Sequence, residues 1–300
     1  MTINRIGDFA QSERMIGQML QTQTRTRIAQ GQIGSGKVAE RFQDLAPDVE
    51  RLIDTKLILK QNQQYQKNIT VTDKKLIAME SSVAGLIDIA AHARVLALQR
   101  INDPNTFPGM MAGEFEALLD QTVSNLNDDI EGRYLFGGSQ TARQPVVLDP
   151  AFTAFGTADT TYYQGDNLTL STRVDVDVEV ETTMSADLPG FQALIGGLRG
   201  LIHGDVIDDE PTLENSLGLL NDALTNLADY QAELGVRQAQ LERIDQSHID
   251  AEIYLDVRIS EIEDIDLTEA ISRLSKDQVL LESAMATIGR LSRMSLAEYL

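Results

Sequence analysis

The sequence predicts a mainly α fold with a small β insertion: an elongated rod that folds back on itself, with a terminal two-helix coiled coil, a helical bundle and a β-rich tip. Three observations predict it. Apolar residues recur at alternating intervals of four and three near both ends and through the middle, the seam of a helix that packs on another helix. Around residues 133–188 the period changes to two, as in a strand with one buried face. With 42% hydrophobic residues, 5% aromatics and no Trp, the composition suits long helices with narrow seams better than one large core. These changes divide the 300 residues into 1–46 and 267–300 as coiled-coil arms, 47–132 and 189–266 as bundle parts, and 133–188 as the β-rich region.

Helix is expected over residues 2–33, where Met15, Met19, Thr22, Thr26, Ala29 and Ile33 alternate four and three beside a second row of Ile16 and Leu20. Thr and Gln make this seam weak, so ordering is expected only against the C-terminal helix and neighbouring chains. Glycines at 31, 34 and 36 then break the helix. The run Gly31 to Val38 falls one residue short of a phosphate-binding loop: Val38 supplies no hydroxyl after Lys37, and no strand precedes it. A second break at Asp44 to Pro47 opens a helix over 48–100. Its seam is Ile69, Thr72, Leu76, Met79, Val83, Leu86, Ala90, Ala93 and Ala97. After a loop with two prolines, a helix over 111–131 carries Phe115, Leu118, Leu119, Thr122, Leu126 and Ile130.

Residues 132–139 read as a short aromatic strand ending in a turn at Gly137 and Gly138. From Leu168 to Glu181 the alternation describes a single strand with an apolar and an acidic face. Helices return over 191–203 and 212–263. The last stretch, 267–300, reads as one helix whose seam is Leu267, Ile271, Leu274, Gln278, Leu281, Met285 and Ile288, with Leu291 continuing it. A seam of that length without a partner would forfeit roughly 1.5–3 kcal/mol for each large apolar side chain left in water.

Charge and composition exclude several functions. Residues 1–46 carry six Lys/Arg against four Asp/Glu and residues 267–300 four against four, which leaves −23 in the middle of a chain whose net charge is −21. Phosphate backbones would be repelled by such a surface, so nucleic acid is no expected partner. Cys is absent, which removes disulfides, thiolate metal sites and cysteine nucleophiles. No secretory signal opens the chain and no uninterrupted apolar stretch suggests membrane insertion. His92, His203 and His248 are far apart in sequence and are read as solvated or capping residues. The acidic run Asp205, Asp208, Asp209 and Glu210 lacks the glycine-centred spacing of a calcium loop. No catalytic, cofactor-binding or metal residues are assigned, and no enzyme is expected.

Four stretches resemble the bacterial flagellin family. Ile33 to Lys37, with Asp44 and Pro47, is similar to its S-G-K followed by D-D-P, with Leu45 and Ala46 departing from it. Arg133, Tyr134, Leu135, Phe136 and Gly137, with Thr141 and Pro145, resemble G-R-Y-L-F-S-G-x-x-T, with Gly138 in place of a polar residue. Tyr163, Gly165 and Asp166 match a recurring Y-x-G-D, and Ser295 to Leu300 match the terminal S-L-x-x-Y-L. The resemblance implies a structural subunit at the junction of hook and filament, or alternatively a filament-forming flagellin. It further implies export through the flagellar type III apparatus to an extracellular position in the flagellum. The implied partners are copies of the same chain, hook-associated protein 1 below, flagellin above, and an export chaperone on the C-terminal helix. No cofactor is implied. Expected assembly residues are Ile16, Leu20, Leu267, Ile271, Leu274, Leu281, Met285, Ile288 and Leu291; the family-motif residues are Gly36 and Lys37 together with those of the two β-region motifs.

Overall fold

The structure is a computed structural model that describes residues 2–39, 45, 48–103 and 106–297, with side chains of 2–12 and 291–297 excepted. Asp44, Pro47 and residues 298–300 of the motifs above, and the Leu291 side chain, therefore lie outside the described residues. In chain order the elements are α1 (Thr2–Ser35), α2 (Val49–Asn102), α3 (Ala112–Leu126), β1 (Asp129–Ile130), β2 (Arg133–Tyr134), β3 (Ser171–Asp175), β4 (Val178–Glu181), α4 (Pro189–Ile207), α5 (Glu210–Glu263) and α6 (Leu267–Ala297). The chain is mainly α with a small β insertion, as its periodicity predicts. Two compact units result, one of Met1–Gln61 with Ala251–Leu300 and one of Asn62–Asp250, and α2 and α5 contribute to both.

In the first unit α1 packs along α6. The described inner row of α1 is the expected one, with Thr22 and Ala29 buried and Met15, Met19, Thr26 and Ile33 half-buried. The segment read as ordered only against a partner is helical here, with α6 as its partner. Helix α5 ends at Glu263, and Asp266 starts α6 by accepting from the backbone N–H groups of Thr268 (2.8 Å) and Glu269 (3.1 Å), which satisfies donors that a helix start leaves open.

The second unit has a continuous apolar core. All nine seam positions of α2 from Ile69 to Ala97 are buried. They meet Phe115, Leu118, Leu119 and Leu126 of α3, Phe191, Leu194, Ile195 and Leu198 of α4, and Leu213, Leu220, Leu227, Leu234 and Leu241 of α5. Among the described residues α2 alone is long and apolar enough to cross a membrane by length and composition, and 39% of its most apolar stretch is buried in the unit.

The β region departs from expectation in three ways. Helix α3 ends at Leu126 rather than near 131: the Asn127 side chain bonds the Val146 backbone in both directions (3.0 Å each), and residues 129–130 become β1. The hairpin turn then falls before the aromatic strand. Glu131 (φ 55) and Gly132 (φ 76) join β1 to β2, the left-handed pair that suits a two-residue hairpin.

The expected single strand from 168 to 181 is a hairpin, β3 against β4, turning at Val176 and Asp177. Alternation survives the turn because Thr172 pairs with Val180, residues of equal parity. The two-residue turn closed by Asp175 and Val178 would shift that phase, and a bulge between Arg173 and Asp175 restores it. Val174 and Val180 are buried, while Leu168 and Val176 are exposed.

Candidate assembly interface

The helix pair of the first unit has more apolar surface than it buries. On α6 the row against α1 is Ala270, Leu274, Asp277, Leu281, Ala284 and Ile288, all buried or half-buried. Leu274, Leu281 and Ile288 belong to the expected seam. Leu267, Ile271 and Met285 do not join it; they stand exposed in a second row beside it. Small Ala270 and Ala284 take the contact in place of their neighbours Ile271 and Met285, which turns the contact face by one position. The same turn puts Gln278 outside and Asp277 inside, where Arg25 of α1 meets its carboxylate at 3.6 Å.

Ile16 and Leu20, also expected at the interface, lie outside the α1–α6 contact together with Ile28. These three and Leu267, Ile271, Val279, Leu280 and Met285 are each 41–65% exposed. The helix pair thus carries two apolar rows, one filled and one open.

Gly36 and Lys37 anchor the base of this pair. Gly36 (φ 72) turns the chain so that residues 36–38 run antiparallel to 263–265: Val38 N–H donates to the Glu263 carbonyl (2.7 Å) and Ile265 N–H to the Gly36 carbonyl (3.0 Å). The Glu263 carboxylate, 10% exposed, accepts from Lys37 Nζ (2.8 Å) and from Lys56. Burial alone would push the Glu263 carboxyl up; the hydrogen bonds from the two lysines outweigh it and hold the group below its usual range. The bond to Glu263 correspondingly raises Lys37. Lys37 is thus a structural clasp rather than a phosphate ligand.

In the second unit the two β-region motifs are brought together. Leu135 and Phe136 are buried, with Phe136 edge-on to Phe191 at 5.8 Å, and Arg133 is exposed beside half-buried Tyr134. Gly138 takes φ 63 against Asp166, where an added Cβ would lie 2.0 Å from the Asp166 carbonyl oxygen. Gly165 is equally confined, its Cβ position 2.3 Å from the Tyr163 hydroxyl and 2.6 Å from the Gly137 carbonyl. The Tyr163 hydroxyl donates to the Asp166 carbonyl (2.6 Å), and the Asp166 carboxylate accepts from the Ser139 hydroxyl (2.5 Å) and N–H (2.7 Å). Those Ser139 bonds hold the Asp166 carboxyl below its usual range. Both glycines permit close approach, so this motif pair knots a loop.

Sequence reading missed the buried ion pairs. Arg100 bonds Asp205 (2.5 Å) and Asp208 (2.6 Å), and Asp205 also accepts from Met111 N–H (2.9 Å), so two members of the acidic run are structural. Arg199 bonds Asp159 (2.6 Å) and lies over the Phe152 ring at 4.4 Å. The histidines also differ from expectation. His92 is exposed, but His203 stacks on Phe155 (4.0 Å), and His248 is buried, its Nε2 2.8 Å from the Val174 carbonyl with Tyr65 stacked at 5.5 Å. Among the described residues no group of three or more His, Asp or Glu is placed to hold a metal ion.

Residues 217–300 match the family described as the bacterial flagellin C-terminal helical region. No curated protein matches the sequence. The fold is similar to that of Bacillus cereus FlgL, with a TM-score of 0.58 at 20% identity, covering 69% of this chain and 98% of that one. It is similar to flagellar hook associated protein-3 from Legionella pneumophila (TM-score 0.57, 15% identity, 69% and 98% covered). A crystal structure of the flagellar junction protein FlgL from Legionella pneumophila gives a TM-score of 0.52 at 16% identity, with 71% and 99% covered. Identities this low establish a shared fold.

Proposed function

We propose that this chain is a structural subunit of the bacterial flagellum, a junction adaptor between hook and filament that assembles through its paired terminal helices. The observation that carries the reading is the open apolar row on the α1–α6 pair, Leu267, Ile271 and Met285 with Ile16 and Leu20. A chain that worked alone would keep that row in water, at roughly 1.5–3 kcal/mol per large side chain that assembly would bury. Repeated around an axis, contacts of this kind stiffen a tube although each is weak in the isolated subunit. The C-terminal match to the flagellin helical region and the fold shared with junction proteins support the same reading.

Residues 1–46 and 267–300 are then the arms of the tube's inner layer, 47–132 and 189–266 the bundle, and 133–188 the β-rich region. The partners are copies of the chain, hook-associated protein 1 below and flagellin above. Before export through the flagellar type III apparatus, the exposed C-terminal helix is held by a chaperone. The subunit's place is outside the cell, and no catalytic step belongs to it.

The experiment is a deletion strain combined with seeded growth. A junction subunit adds to filament seeds to a fixed limit, and its loss makes cells secrete unpolymerised flagellin. Unlimited growth from seeds would make the chain a filament flagellin, and normal filaments on the deletion strain would overturn both.

A further inference from the structure

Two stretches of the first unit are complementary in charge, and beyond the clasp of Lys37 on Glu263 each keeps exposed side chains that pack on nothing within it. Residues 14–39 contain Arg14, Arg25, Arg27 and Lys37 and no Asp or Glu. At the C-terminal end of α5 the balance is reversed: residues 251–266 contain six Asp/Glu and one Arg. Both stretches also expose apolar side chains at helical spacing. On α1, Ile16, Leu20 and Ile28 lie away from the α6 contact with Arg27 among them. On α5, Ile253 and Val257 are one turn apart, 61% and 52% exposed, with Asp256 and Glu261 on their flanks. The ion pairs within this unit employ Arg25, Lys37, Arg51, Lys56, Arg258, Arg273 and their acidic partners, and among the described residues they leave Arg27 and Asp256 unused.

We infer that the outer face of α1 in one copy packs on the C-terminal end of α5 in a neighbouring copy, Leu20 and Ile28 against Ile253 and Val257, with Arg27 facing Asp256. The occupant is a second copy because this chain itself supplies both the acid-free basic face and the acidic one. Different patches meet, so the contact is head-to-tail and repeats without a two-fold axis, as a ring or tube requires. An apolar centre flanked by opposite charges supplies the attraction, while the charges fix the register and reject like-to-like pairing of two α5 ends. This inference rests on the reading of the chain as a self-assembling flagellar subunit.

The absence of cysteine gives a direct test. Leu20→Cys and Val257→Cys are expressed as two separate full-length chains in one deletion strain, and flagella sheared from the cells are treated with a short bis-maleimide. The expected result is a crosslinked dimer containing one copy of each variant, absent when either variant is expressed alone. Flagella that contain both variants without that dimer overturn the pairing and leave the assembly reading standing. Absence of both chains from the flagella, with wild-type chain absent as well, overturns both. As a second arm, Arg27→Glu is expected to lower incorporation about tenfold and Asp256→Arg to restore it in the same chain. Wild-type incorporation of Arg27→Glu, or no recovery in the double variant, counts against the pairing.

Discussion

The α2 row in the second unit and the α6 rows in the first follow the same four-three alternation, yet they end differently. From Ile69 to Ala97 every position of the α2 row is buried, closed over by α3, α4, α5 and the β region. On α6 three large seam residues pack on α1 and three stand in water. The first pattern completes a core inside one chain; the second packs one row and leaves the other in water, the row that the proposed assembly would cover. Identical periodicity therefore specifies helix packing without specifying whose helix does the packing. The charges fit the proposed assembly: the acidic excess sits in the middle of the chain, and residues 1–46 and 267–300 are nearly neutral.

This contrast breaks most visibly at the filled row of α6. Leu281→Asp places a carboxylate between Leu274 and Ile288 and is expected to abolish assembly and swimming while the second unit keeps its thermal transition; circular dichroism with a swimming assay checks it, and normal swimming counts against it. The largest stability loss belongs to the second unit. Phe136→Ala, at a fully buried ring packed on Phe191, should cost about 3–5 kcal/mol in that unit's unfolding by denaturant. Gly138→Ala comes next, at about 1–3 kcal/mol, because the left-handed φ and the Asp166 carbonyl both oppose a side chain.

Smallest is the clasp. Glu263→Gln should cost about 1 kcal/mol or less near neutral pH, since Lys37 and Lys56 are 49% and 38% exposed. Its pH dependence gives a sharper signature than its size. A carboxyl depressed in the folded state stabilises above its ordinary value, and that contribution is lost as pH falls through the lowered one. The difference in melting temperature between wild type and Glu263→Gln should therefore shrink to nothing in acid. Lys37, being raised, holds its contribution below its usual value and loses it only as pH climbs past the raised one, so mild alkali leaves the difference intact.

The long helices were legible because nine consecutive α2 positions and five of the α5 leucines repeat one period, which few other arrangements would produce. What period could not decide was phase. Ala270 and Ile271 are adjacent, the alternation admits either at the contact, and the structure buries the smaller one. The β region failed for a related reason: pairing Thr172 with Val180 keeps alternation in step across a turn, so one strand and a hairpin look alike in sequence. Glu131 adopts φ 55 without being Gly or Asn, and carries no turn signal. Arg100 and Asp205 lie 105 positions apart, and nothing local to either announces the other. Gly138 and Asp166 come from two separate motifs, and only the fold shows that they belong to one knot.

The most direct measurement of the central claim uses the open row alone. Ile271→Asp with Met285→Asp changes two side chains that are 53% and 48% exposed and leaves the filled row untouched. The purified double variant should melt as the wild type does, and flagella sheared from cells expressing it should lack the chain. Recovery of the variant in flagella at the wild-type level would show that these side chains meet no neighbour and would contradict the account.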